Sequence, residues 1–385
     1  MTGTTELHSG DHRVRVTPMT LADGRELIYF DDDPAVLDGT VERVLTDPRD
    51  LPRADTRSEM RRDPLTGEWV AYASHRMNRT FMPPANENPL APTREGQAPS
   101  EIPSPDYDVV VFENRFPSFS LHMEATEGDS DPVDGEDIFP RRPARSRCEV
   151  ICFTPDASRS FADLPLSRIR TVIEAWAHRT AALSALPEVR HVFPFENRGE
   201  EIGVTLQHPH GQIYSYPVVP PRIRRIVESS RRYRAEHGGD LFEDVLAAER
   251  RAGTRVVHAG EAFTVVVPAA AKWPLEVMVL PHRAVRDLAG LTVEEREELA
   301  RILSRLYPAV DRFFDGVDRT PYIAAWNQAP ADGPERDEVR LHLQLFSLMR
   351  SPHRMKFLAG SESAMGFWIN DTTPERIADR LREVW

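Results

Sequence analysis

The stretch QHPHGQIYSYP at residues 207–217 gathers the side chains in this chain best suited to chemistry. Its alternating apolar tail predicts a strand, on which His208, His210 and Gln212 fall at i, i+2 and i+4 and project from one face. A catalytic metal needs three or four ligands, and the histidine pair supplies two. Glu200 and Glu201 lie upstream, but no CxxC, HExxH or third nearby histidine completes a set. Core packing accounts for one histidine but poorly for three polar groups in a row beside Gly211, a residue that lets a ligand approach the backbone. Nucleophilic attack accounts for more. A neutral imidazole can tie one ring nitrogen to a carbonyl and present the other to an electrophile. A neighbouring glutamine offers an amide N–H to phosphoryl oxygens without a titrating proton that could activate water. The row therefore predicts a covalent phospho-histidine passed to an acceptor other than water.

The bulk of the chain narrows the partner. A net charge of −13 over 385 residues disfavours a nucleic-acid polymer, whose nonspecific binding needs clustered Lys and Arg. A small anionic substrate stays compatible, because a few arginines make a local site on an acidic surface. No apolar run is long enough for a membrane span, and the start MTGTTELHSGDHRVRV lacks the apolar core of a secretion signal, so a cytoplasmic protein is expected. Cys148 and Cys152, four apart on a predicted strand, would face one side too far apart for a disulfide and read as reduced, buried thiols.

The elements that must hold the histidine row repeat along the chain. CEVICF at 148 matches LEVMVL at 275, FPFENRG with Asn197 answers IAAWNQA with Asn327, and His210-Gly-Gln212 answers His342-Leu-Gln344; the offsets are 127, 130 and 132. Helices are predicted from Ser167 and from Thr292, where Thr292 and Glu295 form a capping box. Landmarks in one order at nearly one offset predict a duplicated α+β unit of strand, strand, helix, strand, strand. The second copy has Arg340 where His208 stands and Leu343 where Gly211 stands, so the first copy is expected to do the chemistry. Residues 1–60, with one extended candidate at Arg25 to Tyr29, read as a mobile arm of low core content. A strand is expected at Trp69 to Ala73, and Pro-rich 82–106 and acidic 124–143 read as exposed, mobile loops.

HPHGQ, preceded by FENRGEEIGVTLQ, strongly resembles the galactose-1-phosphate uridylyltransferase family, a two-fold repeated branch of the histidine-triad superfamily. RRDPLTGEWVAYASHR at 61–76, YDVVVFENRFPSF at 107–119, SRCEVICFTPD at 146–156, AAAKWPLEVMVLP at 269–281 and KFLAGSE at 356–362 agree in order. The resemblance covers about residues 14–385. It implies an α+β fold of two tandem histidine-triad-like halves, each an antiparallel sheet with packed helices: an arm (1–60), a domain carrying the nucleophile (61–224) and a second domain (225–385). It also implies that His210 attacks the α-phosphorus of UDP-glucose, expels glucose-1-phosphate and yields uridylate to galactose-1-phosphate, giving UDP-galactose. Gln212 would bind the phosphoryl oxygens, with His208 beside the nucleophile. Thr205 stands where the family usually has a phosphate-contacting serine, Gly203 lies in the same segment, and Arg76 and Arg79 would clamp phosphate. Asn114 and Asn197 would contact uridine, ribose or phosphate. Lys356, Gly360 and Glu362 would meet the sugar phosphate, usually across a homodimer interface.

The chain departs from that pattern in places. Some members bind zinc through a CxxC, a downstream histidine and the first histidine of HPH; those positions are Asn88, Ala91, Ala157 and His208 here, and one ligand cannot hold zinc. The positions of an iron-type site are Asn327, His342 and Gln344. No metal and no other cofactor is therefore expected. Arg115 follows Asn114 where some relatives have aspartate, and Ser361 stands where some have tyrosine. The alternatives are transfer to another hexose-1-phosphate, a nucleotide-sugar phosphorylase, and a catalytically silent nucleotide-binding protein.

Overall fold

Strict alternation decides how the nucleophile strand sits: along His210–Tyr216, Gly211, Ile213 and Ser215 are buried while the intervening side chains are half-buried. One face thus packs on helices and the other opens toward a cleft. The computed structural model describes residues 3–53, 57–78, 83–84, 87–123 and 128–385. Among these, the main sheet comprises β1 (Thr5–Ser9), β2 (His12–Thr20), β3 (Glu26–Asp31), β4 (Val109–Glu113), β5 (Cys148–Cys152), β6 (His191–Arg198), β7 (His210–Tyr216), β8 (Val256–Ala259), β9 (Phe263–Val266), β10 (Leu275–Pro281), β11 (Tyr322–Asn327) and β12 (His342–Ser347). The strand order is β1-β2-β3-β4-β5-β7-β6-β11-β12-β10-β9-β8.

The duplication is visible in that order. β4, β5, helix α1 (Leu166–Ser184), β6 and β7 are answered by β9, β10, helix α4 (Val293–Asp311), β11 and β12. The halves join where β6 pairs antiparallel with β11, from Tyr322↔Arg198 to Ala325↔Phe195, so the two antiparallel sheets form one continuous surface. The expected capping box starts α4: Thr292 accepts from the Glu295 backbone N–H, and Glu295 accepts from the Thr292 N–H at 2.8 Å. Helices α1 and α4 cover one face. Ile173 and Trp176 of α1 and Leu303 and Leu306 of α4 share a core with Ile151, Ile213, Val277 and Leu345 of the sheet. Phe161 stacks on Tyr307 at 4.1 Å between the two helices.

The opposite face is covered differently in each half. In the second, helices α2 (Pro221–His237) and α3 (Leu241–Ala252) lie on it, with Ile223 and Val227 against Ala329 and Val339, and Leu246 against Val266 and Leu280. In the first, Leu90, Ile102 and Tyr107 pack on Val110, Phe112 and Val150. That loop was expected to be exposed; its described part instead buries Leu90, Ile102 and Ser104, because its apolar residues have sheet to cover. The described part of residues 1–60 also differs from the expected arm. HRVRVTPMT alternates well enough to form β2, which pairs with β1 and β3, and Val14, Val16, Ile28 and Phe30 enter the main core. The strand expected near Trp69 is Trp69–Tyr72, in a small sheet with Glu59–Arg62 and Arg141–Pro143. No helix among the described residues is long and apolar enough to cross a membrane.

Candidate active site

β7 aims His210, Gln212 and Tyr214 into a cleft of about 310 Å³. Its walls come from β4 (Phe112), β5 (Val150), β6 (Phe195, Asn197), the segment Gly203–Leu206, and Leu90, Glu101, Asn114 and Arg115 from the loops beside β4. A second cavity of about 400 Å³, lined by Ala157, Arg159, Glu200, Glu201, His208 and Arg319, also reaches His210.

The His210 ring is fixed by one bond: Nδ1 lies 2.7 Å from the His208 carbonyl. A carbonyl only accepts, so Nδ1 carries the proton, and Nε2 keeps its lone pair. Nε2 has no partner among the described residues. Burial holds the His210 pKa below its ordinary value, opposed by the His208 carbonyl. The ring is accordingly neutral at pH 7. The Gln212 amide, two residues on, also lacks a partner among the described residues and is free to donate into the cleft.

His208 points away from that cleft and is 2 % exposed. Its Nε2 donates to the Thr154 carbonyl at 2.8 Å, with Tyr107 Oη at 2.9 Å. Its Nδ1 accepts from Asn88 Nδ2 at 3.1 Å. Burial pushes its pKa down to about 4. A Cβ at Gly211 would meet the Phe195 carbonyl at 2.8 Å and the Phe153 ring at 2.9 Å, so a glycine is required there for close packing on the helix side of the strand.

Other expected residues divide into those the fold brings together and those it does not. Arg76, Asn114, Asn197, Gly203 and Thr205 all line the cleft. Arg76 is oriented by the Phe116 carbonyl at 3.0 Å and Ser118 Oγ at 2.7 Å. Arg79 lies outside the described residues. Lys356, Gly360 and Glu362 do not line the cleft of their own chain; Lys356 Nζ instead bonds Glu362 at 3.3 Å and the Ile369 carbonyl. Sequence reasoning missed Glu101, which stands in no motif and reaches the cleft only because its loop is held on the sheet.

In the second half the matching row is occupied by protein. His342 Nδ1 bonds the Arg340 carbonyl at 2.9 Å, repeating the His210 geometry, but Phe242 of α3 stands 5.6 Å from its ring. Gln344 donates to Glu276 at 2.6 Å and Asn327 accepts from Arg222 at 3.2 Å, so both amides are already engaged.

Comparison with known proteins fits this arrangement. The family model for galactose-1-phosphate uridyl transferase matches in two parts, the N-terminal domain over residues 50–220 and the C-terminal domain over 226–385. The galactose-1-phosphate uridylyltransferase of Streptomyces lividans is 44% identical, with 96% of this chain and 98% of the relative aligned. The chain belongs to the galactose-1-phosphate uridylyltransferase family. The enzyme of that name from Thermotoga maritima is 34% identical over 84% of this chain and 98% of its own length. A solved uridylyltransferase structure superposes with a TM-score of 0.71 at 31% identity, covering 85% of this chain and 98% of the other. Family members thus share the two-part architecture seen here.

Proposed function

We propose that this protein transfers UMP from UDP-glucose to galactose-1-phosphate by a ping-pong route through Nε2 of His210. The observation that carries this reading is the pairing of Nδ1 with the His208 carbonyl, which leaves Nε2 unprotonated in the cleft beside the Gln212 amide, which has no partner among the described residues. The Nε2 lone pair forms a bond to the α-phosphorus, and the bond from that phosphorus to the bridging oxygen breaks, releasing glucose-1-phosphate. The leaving group is a phosphate monoester with a second pKa near ~6, so no dedicated general acid is needed. Nδ1 keeps its proton, and the His208 carbonyl stabilises the positive ring of the intermediate. Gln212 and Arg76 hold the α-phosphoryl oxygens. A phosphate oxygen of galactose-1-phosphate then attacks the same phosphorus, the P–N bond breaks, and neutral imidazole returns.

The metal-site positions favour a metal-free enzyme. Asn88 donates its amide to His208 where a cation would otherwise sit, and Ala91 and Ala157 offer no ligand atom. A homodimer is favoured by an exposed apolar patch around KFLAGSE, comprising Phe357 (76%), Leu358, Met365, Phe367 (72%) and Ile369. A second copy seated there would bring Lys356, Gly360 and Glu362 toward a neighbouring cleft. Two free, buried cysteines suit a reducing cytoplasm.

Incubation with UDP-glucose labelled in the uridylyl group, followed by an alkaline quench, tests the chemistry. The expected result is acid-labile label on the chain, absent in His210→Ala and discharged by galactose-1-phosphate. Discharge only by another hexose-1-phosphate or by inorganic phosphate would replace the acceptor, and no label with any UDP- or ADP-sugar would point to a silent binder.

A further inference from the structure

Three cations of the second half have no carboxylate to pair with. Arg222 and Arg225 stand one turn apart at the start of α2, and Lys272 lies on the segment that leads into β10. Both arginines are exposed and the lysine is half-buried. Arg222 commits only Nε, to Asn327 Oδ1 at 3.2 Å, and Lys272 Nζ lies 5.3 Å from the centre of the Trp368 ring. Arg225 has no partner among the described residues. The three are close enough to feel one another: burial lowers the Lys272 pKa, and the charges of Arg222 and Arg225 lower it further. Glu276 is the one carboxylate that opposes them, and both its oxygens are taken. Oε2 accepts from the backbone N–H groups of Lys272 at 2.5 Å and Trp273 at 3.2 Å, and Oε1 accepts from Gln344 at 2.6 Å. Three cations against one carboxylate leave two positive charges unbalanced.

Two further features point to an anion. Pro220, the N-cap of α2, makes no side-chain bond to the first turn, so the leading N–H groups and the positive end of the helix dipole stay uncapped. His342 pairs in register with Asn327, shares its face and is only 2% exposed. Burial and then the Arg222 charge lower its pKa, so the ring is neutral at pH 7. Its Nδ1 is tied back to the Arg340 carbonyl at 2.9 Å, which makes Nε2 an acceptor, and Nε2 has no partner among the described residues. A ligand on this face must therefore accept from cations and donate one hydrogen bond. At neutral pH sulfate offers oxygen lone pairs alone, whereas inorganic phosphate keeps an O–H.

We propose that this face of the second half binds inorganic phosphate in its hydrogen-phosphate form, with Arg222, Arg225 and Lys272 donating to its oxygens and its O–H donating to Nε2 of His342. The site shares no residue with the His210 cleft and does not depend on the transfer reading. It is nevertheless tied to the nucleophile strand, because only residues 217–220 separate β7 from α2.

Isothermal calorimetry of the full-length protein with inorganic phosphate and with sulfate, at matched ionic strength, tests the assignment. The wild type is expected to bind phosphate, and Arg225→Gln and Lys272→Gln should each weaken it by roughly tenfold or more, the scale of a hydrogen bond to a charged group. Sulfate should bind roughly tenfold or more weakly than phosphate, because it sets an oxygen lone pair against Nε2. His342→Asn, whose amide can donate to sulfate, should bring the two affinities together. A wild type that does not bind phosphate, or phosphate binding that both cation variants keep, overturns the proposal. Binding lost in Arg76→Gln but kept in Arg225→Gln puts the anion in the His210 cleft and likewise overturns it. Equal wild-type affinities for sulfate and phosphate overturn the hydrogen-phosphate form. Should His342→Asn fail to fold, the wild-type selectivity and the two cation variants decide.

Discussion

The side-chain amide of Asn88 stands 3.1 Å from Nδ1 of His208, while the Thr154 carbonyl takes Nε2 at 2.8 Å. Both ring nitrogens are thus satisfied by protein atoms in a neutral ring. The carbonyl of this same histidine orients the His210 ring. A polar side chain in one loop thereby steadies the residue that aims the nucleophile.

That relationship predicts metal independence. Prolonged dialysis against a chelator should leave both the labelling rate and the melting temperature unchanged, and elemental analysis should find zinc and iron far below one per chain. Asn88→Ala should cost about 1–3 kcal/mol in stability, since it leaves a buried ring nitrogen without a donor, and it should slow labelling. Stoichiometric metal whose removal abolishes labelling would contradict the argument.

Gln212 should act on the transition state more than on binding. Gln212→Ala is expected to lower the single-turnover rate of uridylylation by roughly 10²-fold, the scale of losing one preorganised donor to a developing oxyanion. UDP-glucose affinity should move only a few-fold. A variant that loses affinity but labels at the normal rate would assign the glutamine to ground-state binding.

Acid should destabilise the fold through its buried histidines. Burial lowers the pKa of His208 and His342 to about 4 and that of His191 to about 3. Their folded pKa values lie below the unfolded value of about 6.5, so the unfolded chain binds more protons across that interval. Stability contributed by the neutral rings is fully present above pH ~6.5 and is lost as pH falls toward ~4. Calorimetry should show the melting temperature dropping over this window, and His342→Asn should flatten part of the slope. The lowered pKa of His210 likewise puts the acid limb of the labelling rate below that of a free histidine. An acid limb above pH ~6.5 would exclude a ring neutralised by burial.

The apolar patch predicts self-association. Phe357→Asp combined with Phe367→Asp places two charges on side chains that are 76% and 72% exposed, so the folded chain should survive with an unchanged circular dichroism spectrum. Sedimentation is expected to show a dimer for the wild type and a monomer for the double variant. Loss of the dimer should also weaken sugar-phosphate discharge, because Lys356 and Glu362 lie outside their own chain's cleft. A monomeric wild type with full activity would refute this.

Features written in neighbouring residues were legible from the sequence alone. The alternation HGQIYSY fixed a strand with His210 and Gln212 on one face, Thr292 and Glu295 marked a helix start, and the spacing of Asn197–His210 against Asn327–His342 declared the duplication. Each is set by the two-residue period of a strand or by hydrogen bonds within one helical turn, so a short window carries the information. The tertiary structure alone decided that residues 5–31 complete the sheet, that Gly211 serves packing, and that Arg25 reaches 76 positions along the chain to hold Glu101 at the cleft wall. Such contacts leave no local period, because a buried arginine and its carboxylate are paired by where the sheet and its covering loop meet in space.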